Sequence, residues 1–196
     1  MKTFKGPWTA LTAAALAFAA SIAHAADGPH RGAENEGVVH FLAETGSSLE
    51  RFDLDTGARL SDLAFPMPVD SFTVDAERIY YAGDRLVSSM SLEGGDHEPL
   101  ANTIGSVLSL AVLGDDLYAR VEASPELVSL DKRTGAINEM RDHWYSPREM
   151  HASTLRSSLF GYGGYGLQRI SVNAGGTFGE TVESPHDEDY RVGERV

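Results

Sequence analysis

The sequence predicts an all-β protein, because a pattern typical of short antiparallel strands recurs four times along the chain. Each copy begins with an aliphatic residue followed by His or an aromatic residue, at Val39, Ile79, Leu117 and Leu159. A second apolar residue follows 13 positions later, and a turn rich in Gly, Asp or Asn comes just after it. The copies are offset by 40, 38 and 42 residues. No helical periodicity of comparable length interrupts them.

Each repeat unit divides into four strands, called a to d in chain order. Strand a is a short alternating stretch such as "SFTV" (71–74) or "SLAV" (109–112), and "DAER" or "LGDD" joins it to strand b. Strand b carries the first apolar anchor, strand c carries the second, and a glycine turn leads to strand d. Four short antiparallel strands in about 40 residues are typical of a β-propeller blade. We therefore expect burial between blades for Ile79, Leu92, Leu117, Leu130, Leu159 and Val172.

Two stretches carry a family resemblance. "LERFDLDTG" (49–57) and "LVSLDKRTG" (127–135) resemble the repeat of quinoprotein-type propellers, and "RIYYAGDRLVSSMSLEGG" (78–95) resembles YWTD-like extracytoplasmic propellers. The resemblance spans Val38 to Val196 and implies the fold. Quinoprotein repeats carry Trp four residues after the turn glycine, where this chain has Ser61 and Glu139. We therefore expect no quinone cofactor, and the sequence predicts no other cofactor.

The first 25 residues are typical of a secretory signal peptide. Lys2 and Lys5 precede an apolar run from Ala10 to Ile22, and the small residues Ala23 and Ala25 suit signal peptidase. The run of 13 residues is short for a membrane span, which needs about 20. We expect cleavage after Ala25 and a periplasmic or secreted product without membrane insertion; the alternative is that the segment stays uncleaved as a membrane anchor. In the mature chain we expect a polar, disordered leader at 26–35 and propeller blades over 36–196.

The composition narrows the classes of partner. Loss of residues 1–25 removes two lysines and takes the net charge from −13 to −15. Nucleic acid is a poor partner for so acidic a chain, because Lys and Arg dominate its binding. The chain has no cysteine, which excludes disulfides, thiolate metal ligands and thiol nucleophiles.

The end of the sequence resembles the start of another unit. Glu194-Arg195-Val196 repeats the Glu77-Arg78-Ile79 that opens the second strand b. One interpretation is a fragment of a propeller with more blades, which we favour because a lone starting strand leaves an unpaired edge. The other is a closed four-blade propeller, in which the segment around His186–Arg191 supplies the strand a that the first unit lacks.

Strand counting places the d–a and b–c loops on one surface, here called the loop face. Three segments of this surface fall close together: "DHWYSPREMH" (142–151), "GYGGYG" (161–166) and "SPHDED" (184–189). Aromatic rings beside an arginine are typical binding anchors. We therefore predict a ligand- or protein-binding patch at Trp144, Tyr145, Arg148, Tyr162 and Tyr165; the alternative is that the rings only pack between blades.

Catalytic signals are sparse. His143, His151 and His186 are conceivable metal ligands, but their spacing fits no established metal pattern. "GYGGYG" contains G-x-G-x-x-G without the helix that a nucleotide site needs. The leading hypothesis is an exported propeller acting as a binding or scaffold module for an unidentified protein or small molecule. The alternative is a propeller enzyme, a hydrolase or metal-dependent lyase, with catalytic residues partly beyond residue 196.

Overall fold

The computed structural model describes residues 32–123, 126–142, 147–163 and 166–184. Within these ranges it contains β-strands and one short 3₁₀ helix, Thr154–Arg156, and no helix there is long and apolar enough to span a membrane. The strands are β1 Gly32–Asn35, β2 Val38–Leu42, β3 Ser48–Asp53, β4 Leu63–Ala64, β5 Ser71–Val74, β6 Arg78–Gly83, β7 Leu86–Ser91, β8 Glu98–Asn102, β9 Val107–Leu113, β10 Asp116–Val121, β11 Leu127–Asp131, β12 Ile137–Arg141, β13 Pro147–Ser153, β14 Ser158–Gly163, β15 Gly166–Val172 and β16 Phe178–Ser184.

These strands form four antiparallel sheets of four strands each, one per repeat unit. Blade 1 is β1–β4, blade 2 is β5–β8, blade 3 is β9–β12 and blade 4 is β13–β16. The first strands of successive blades lie side by side, with β5 between β1 and β9, and β9 between β5 and β13. In the described part of the chain the ring of blades is not closed, and the strands of blades 1 and 4 make no extensive contact. The prediction of an unclosed all-β propeller is confirmed.

Blade 1 has its own innermost strand, which corrects two expectations. Gly32–Asn35 pairs with β2 from Gly32↔Phe41 to Asn35↔Val38. The end of the expected leader is therefore strand a of blade 1, and the segment around His186–Arg191 is not needed to supply it. A tight turn makes the pairing possible, because Glu36 and Gly37 both have positive φ and Glu34 Oε1 accepts the Gly37 N–H at 2.9 Å.

The strand registers explain which apolar anchors are buried. Val39 pairs with Phe52 and Leu117 with Leu130, so the spacing of 13 is the true register in blades 1 and 3. In blades 2 and 4 the partners of the first anchors are Met90 and Ile170, two residues earlier than expected. Met90 and Ile170 are buried accordingly, whereas the predicted Leu92 and Val172 are only partly buried. The other four predicted residues, Ile79, Leu117, Leu130 and Leu159, are buried as expected.

Apolar side chains fill each junction between blades. The face of a blade that packs on the preceding blade is called its leading face, and the opposite face its trailing face. At the junction of blades 2 and 3, Tyr80 and Val87 on the trailing face of blade 2 meet Leu117 and Leu130 on the leading face of blade 3. Similar clusters join blades 1 and 2 and blades 3 and 4. Stability therefore comes from burial between successive sheets.

Candidate functional site

The strand ends of blade 4 bring the three predicted loops to one end of the sheet. Pro147 at the start of β13 pairs with Gly163 at the end of β14, and Gly163 pairs with Gly166 at the start of β15. The last residue of β16, Ser184, pairs with Leu167 near the start of β15. The connections 143–146 and 164–165 and the chain after residue 184 therefore leave blade 4 at the same end, which is the loop face.

The strands extend further into these loops than the sequence indicated. Residues 147–151 of "DHWYSPREMH" belong to β13, and Gly161–Gly163 and Gly166 of "GYGGYG" belong to β14 and β15. The reason is backbone pairing, because Glu149 pairs with Tyr162 and His151 with Phe160. The segments predicted as loops are thus shortened to their tips.

Two of the five predicted binding residues fall on described strands. Arg148 lies in β13 and Tyr162 in β14, both close to the loop end of blade 4. Trp144, Tyr145 and Tyr165 lie outside the described residues, as do the candidate metal ligands His143 and His186. The third candidate ligand, His151, is an exposed residue of β13. The binding role of this group stays a prediction.

A central cavity, which the sequence did not indicate, lies between the innermost strands. It has a volume of about 230 Å³, and its walls come mainly from β1, β5, β9 and β13, one strand from each blade, with Leu42 of β2 and Asp70 beside them. Polar side chains contribute to this lining, and they are Glu34, Asp70, Ser71, Thr73, Ser109 and His151. Strand a of a propeller faces the central axis, so the repeat pattern alone was a usable signal for these residues.

Two serines of the cavity wall form hydrogen bonds between neighbouring blades. Ser71 Oγ accepts the backbone N–H of Leu110 at 2.9 Å, and Ser109 Oγ accepts that of Met150 at 3.0 Å. The two serines hold equivalent places, because Val74 and Val112, three residues later, pair with the anchors Ile79 and Leu117. Each hydroxyl satisfies a backbone donor that would otherwise be unpaired at the innermost strand. These contacts fix the shape of the cavity wall.

The surface opposite the loop face carries a buried ion pair. Lys132 in the c–d turn of blade 3 lies 2.8 Å from Asp75 in the a–b turn of blade 2, with the two side chains 8% and 16% exposed. Burial alone would raise the pKa of Asp75. The hydrogen bonds from Lys132 and from the backbone of Arg78 and Glu77 outweigh it and hold that pKa below its usual range. Tyr80 Oη lies 3.3 Å from the same carboxylate. We assign this group a structural part in the junction of blades 2 and 3.

Comparison with known proteins gives likenesses in structure alone. The sequence matches no protein-family model and no curated protein. The structure is similar to a nidogen/laminin complex with a TM-score of 0.61 and 10% identity, over 78% of this chain and 62% of that one. It is also similar to the Cps50 (Swd1) beta-propeller domain of Myceliophteria thermophila, with a TM-score of 0.62 and 12% identity, over 78% of this chain and 58% of that one.

A third likeness is to the hydrazine synthase of Kuenenia stuttgartiensis, with a TM-score of 0.61 and 13% identity, over 81% of this chain and 49% of that one. The chain thus spans about half to three fifths of the length of the structures it resembles. At such low identity these likenesses bear on the fold and not on the chemistry. The four sheets and the three likenesses together make this chain a β-propeller protein.

Proposed function

We propose that the chain is an exported binding module that holds a protein or small-molecule ligand on its loop face. The observation that supports this proposal is that the strand ends flanking these three connections lie at the same end of the blade 4 sheet. Loops on a rigid scaffold are where binding residues concentrate, since they vary without disturbing the sheets that hold them.

The residues of the loop face have the chemistry of a binding anchor. Trp144, Tyr145, Tyr162 and Tyr165 supply ring area, and Arg148 offers a planar cation for a carboxylate or for stacking. The inner strands begin at this same end, where Asp70 directly precedes β5 and borders the central cavity. A ligand on the loop face would thus lie over the polar cavity as well as beside the rings.

The test compares a substitution in the predicted binding patch with one in the a–b connection of blade 4. Partners captured from an extracytoplasmic extract by the wild-type chain are identified first, and their affinity for Trp144→Ala is then measured. We expect binding to weaken at least about tenfold, the size of a hot-spot loss, with the melting temperature unchanged. The matched control is Leu155→Ala, because Leu155 is 97% exposed and lies in the a–b connection at the other end.

The outcomes separate binding from packing. Lower affinity for Trp144→Ala with normal binding by Leu155→Ala supports the proposal. A large fall in the melting temperature of Trp144→Ala would make the ring a packing residue between blades. Equal affinity of both variants would remove the loop face as the binding surface.

Export has a test of its own. The charged start, the short apolar run and Ala23-His24-Ala25 support cleavage after Ala25. Mass spectrometry of the protein from the extracytoplasmic fraction should give an N-terminus at Ala26. A product that keeps Met1 in the membrane fraction would contradict export by cleavage.

A further inference from the structure

The central cavity is formed where the innermost strands of neighbouring blades lie side by side. β5 lies between β1 and β9, and β9 lies between β5 and β13, so the wall of the cavity is continuous across three junctions. Its volume of about 230 Å³ is below the range of about 300–1,000 Å³ that is usual for pockets that bind drug-sized ligands. The size of the cavity therefore suits a smaller molecule.

The backbone of the inner strands supplies hydrogen-bonding groups to this cavity. The N–H groups of Leu110 and Met150 point away from their own sheets, because each bonds to a serine of the preceding blade. Residues two positions later in a strand face the same way, so the N–H and C=O groups of Val112 and Ala152 also point away from strand b. Both residues line the cavity, and in the described part of the chain neither N–H donates a hydrogen bond. The wall thus offers donors as well as acceptors.

Two carboxylates give the lining of the cavity a negative charge. Glu34 and Asp70 both line it, and both are exposed side chains. Glu34 Oε1 accepts the Gly37 N–H at 2.9 Å, and Asp70 Oδ2 accepts the Asp84 N–H at 3.1 Å, so one oxygen of each carboxylate is held in place. The lining includes no Lys or Arg, and among the described residues neither carboxylate forms an ion pair. The second oxygen of each carboxylate is therefore open to a cation from outside the chain.

Acidic side chains on the opposite surface differ from these two, because the chain itself supplies their cations. Asp62 lies 2.9 Å from Arg59, and Asp75 lies 2.8 Å from Lys132. In the cavity the charge has no such partner, and a concave wall that carries one sign of charge raises the local concentration of ions of the opposite sign. The Thr73 hydroxyl in the same wall adds an uncharged donor and acceptor. Charge and shape together favour a polar ligand with a positive charge.

We propose that the central cavity binds a small organic cation with a primary amine. An ammonium group has three donors and no acceptor, which matches the carboxylate and carbonyl oxygens of the wall. The backbone N–H groups of the inner strands then donate to a hydroxyl oxygen of the ligand. A metal ion fits the described residues less well, because they contain no group of three or more His, Asp or Glu side chains placed to hold one. None of the five residues predicted on the loop face lines the cavity, so this proposal does not rest on a loop-face partner.

Calorimetric titration of the purified chain with matched pairs of small molecules tests the charge of the ligand. The amines are ethanolamine, putrescine and glucosamine, and their uncharged counterparts are ethylene glycol, butane-1,4-diol and glucose. We expect at least one amine to bind, and its counterpart to bind at least about tenfold more weakly, because hydrogen bonds between charged groups are the strongest that the site offers. Binding of no amine, or equal binding of an amine and its counterpart, would overturn the proposal.

A double variant tests where the amine binds. Glu34→Gln combined with Asp70→Asn removes both charges and keeps the carbonyl oxygens that accept the backbone N–H groups, so the melting temperature should stay that of the wild type. The affinity for the amine should fall at least about tenfold. The matched control is Glu93→Gln, which removes an exposed acid of the blade 2 c–d connection outside the cavity and should bind as the wild type does. Unchanged affinity in the double variant, or an equal loss in the control, would overturn the proposal.

Discussion

The c–d turns of blades 1 and 3 have the same local structure in different surroundings. Asp53 Oδ1 accepts the N–H of Thr56 at 2.7 Å, and Asp131 Oδ1 accepts that of Thr134 at 2.8 Å. The glycines that follow, Gly57 and Gly135, have φ of 69° and 70°. A Cβ at Gly57 would meet nothing within 4 Å, whereas one at Gly135 would collide with the backbone of Leu100 in blade 2.

The conformation of the turn is therefore determined by its own residues, whereas its contribution to stability depends on the neighbouring blade. An Asp-x-x-Thr-Gly sequence makes its own hydrogen bonds wherever it stands. In blade 3 the same turn also has to fit against a preceding sheet, which blade 1 lacks among the described residues. Equivalent substitutions in the two kinds of surroundings measure what a junction contributes.

The largest loss of stability is expected from truncating a buried leucine on a leading face, and an exposed leucine on another leading face serves as its comparison. Leu117→Ala at the junction of blades 2 and 3 should cost about 2–5 kcal/mol of unfolding free energy, since Leu117 is fully buried. Leu54→Ala should cost much less, below about 1 kcal/mol, because Leu54 is 47% exposed. Urea unfolding of the two variants and the wild type measures both losses. Equal losses would show that blade 1 is covered like the others.

The two turn glycines give a sharper comparison. Gly57→Ala should cost about 1–2 kcal/mol, the strain of a left-handed backbone with a Cβ. Gly135→Ala carries the same strain and a collision with the Leu100 backbone, which adds about 1–3 kcal/mol. Thermal or urea unfolding gives the loss of unfolding free energy for each variant, and the difference between the two losses is the part that comes from packing at the junction. A difference near zero would contradict close packing of the blade 3 turn on blade 2.

The serine contacts of the inner strands should have a smaller effect. Ser109→Ala removes the acceptor for the backbone N–H of Met150 and should cost about 1–3 kcal/mol, the penalty for an unpaired buried donor. Ser106→Ala is the control, because its hydroxyl bonds to Asp84 at an exposed site and nothing is left buried. Hydrogen exchange should also quicken at the Met150 amide in Ser109→Ala alone. Unchanged exchange there would mean that the hydroxyl does not hold the strand.

The smallest expected effect is the pH dependence of stability that His40, on the trailing face of blade 1, contributes. Burial, and then the neighbouring Arg51 guanidinium, lower the pKa of His40 below its ordinary 6.5. The folded state thus binds fewer protons than the unfolded state, and the contribution of His40 to stability is full above pH 6.5 and lost as the pH falls toward the folded pKa. His40→Tyr, which installs the residue of blades 2 and 3, should flatten the melting temperature between pH 7.5 and 5. A pH dependence equal to that of the wild type would contradict this cause.

The sequence by itself determined the repeat, the four-stranded unit and the turns, because these depend on near neighbours in the chain. Anchor residues such as Leu117 and Leu159 recur at the blade period, and the Asp-x-x-Thr-Gly turns close on themselves. The positions of the blade 4 loops at one end also followed from strand counting.

The tertiary structure decided whatever depends on residues distant in sequence. The pairing of Gly32–Asn35, the shift from Leu92 to Met90 as the partner of Ile79, and the cavity between four inner strands are examples. The segment Gly32–Asn35 has low strand propensity, and it forms a strand because β2 offers unpaired backbone groups. The turns at Gly57 and Gly135 have the same local structure and differ in whether a neighbouring sheet packs against them. The sequence of a turn does not encode this difference, because burial depends on residues that are distant in the chain.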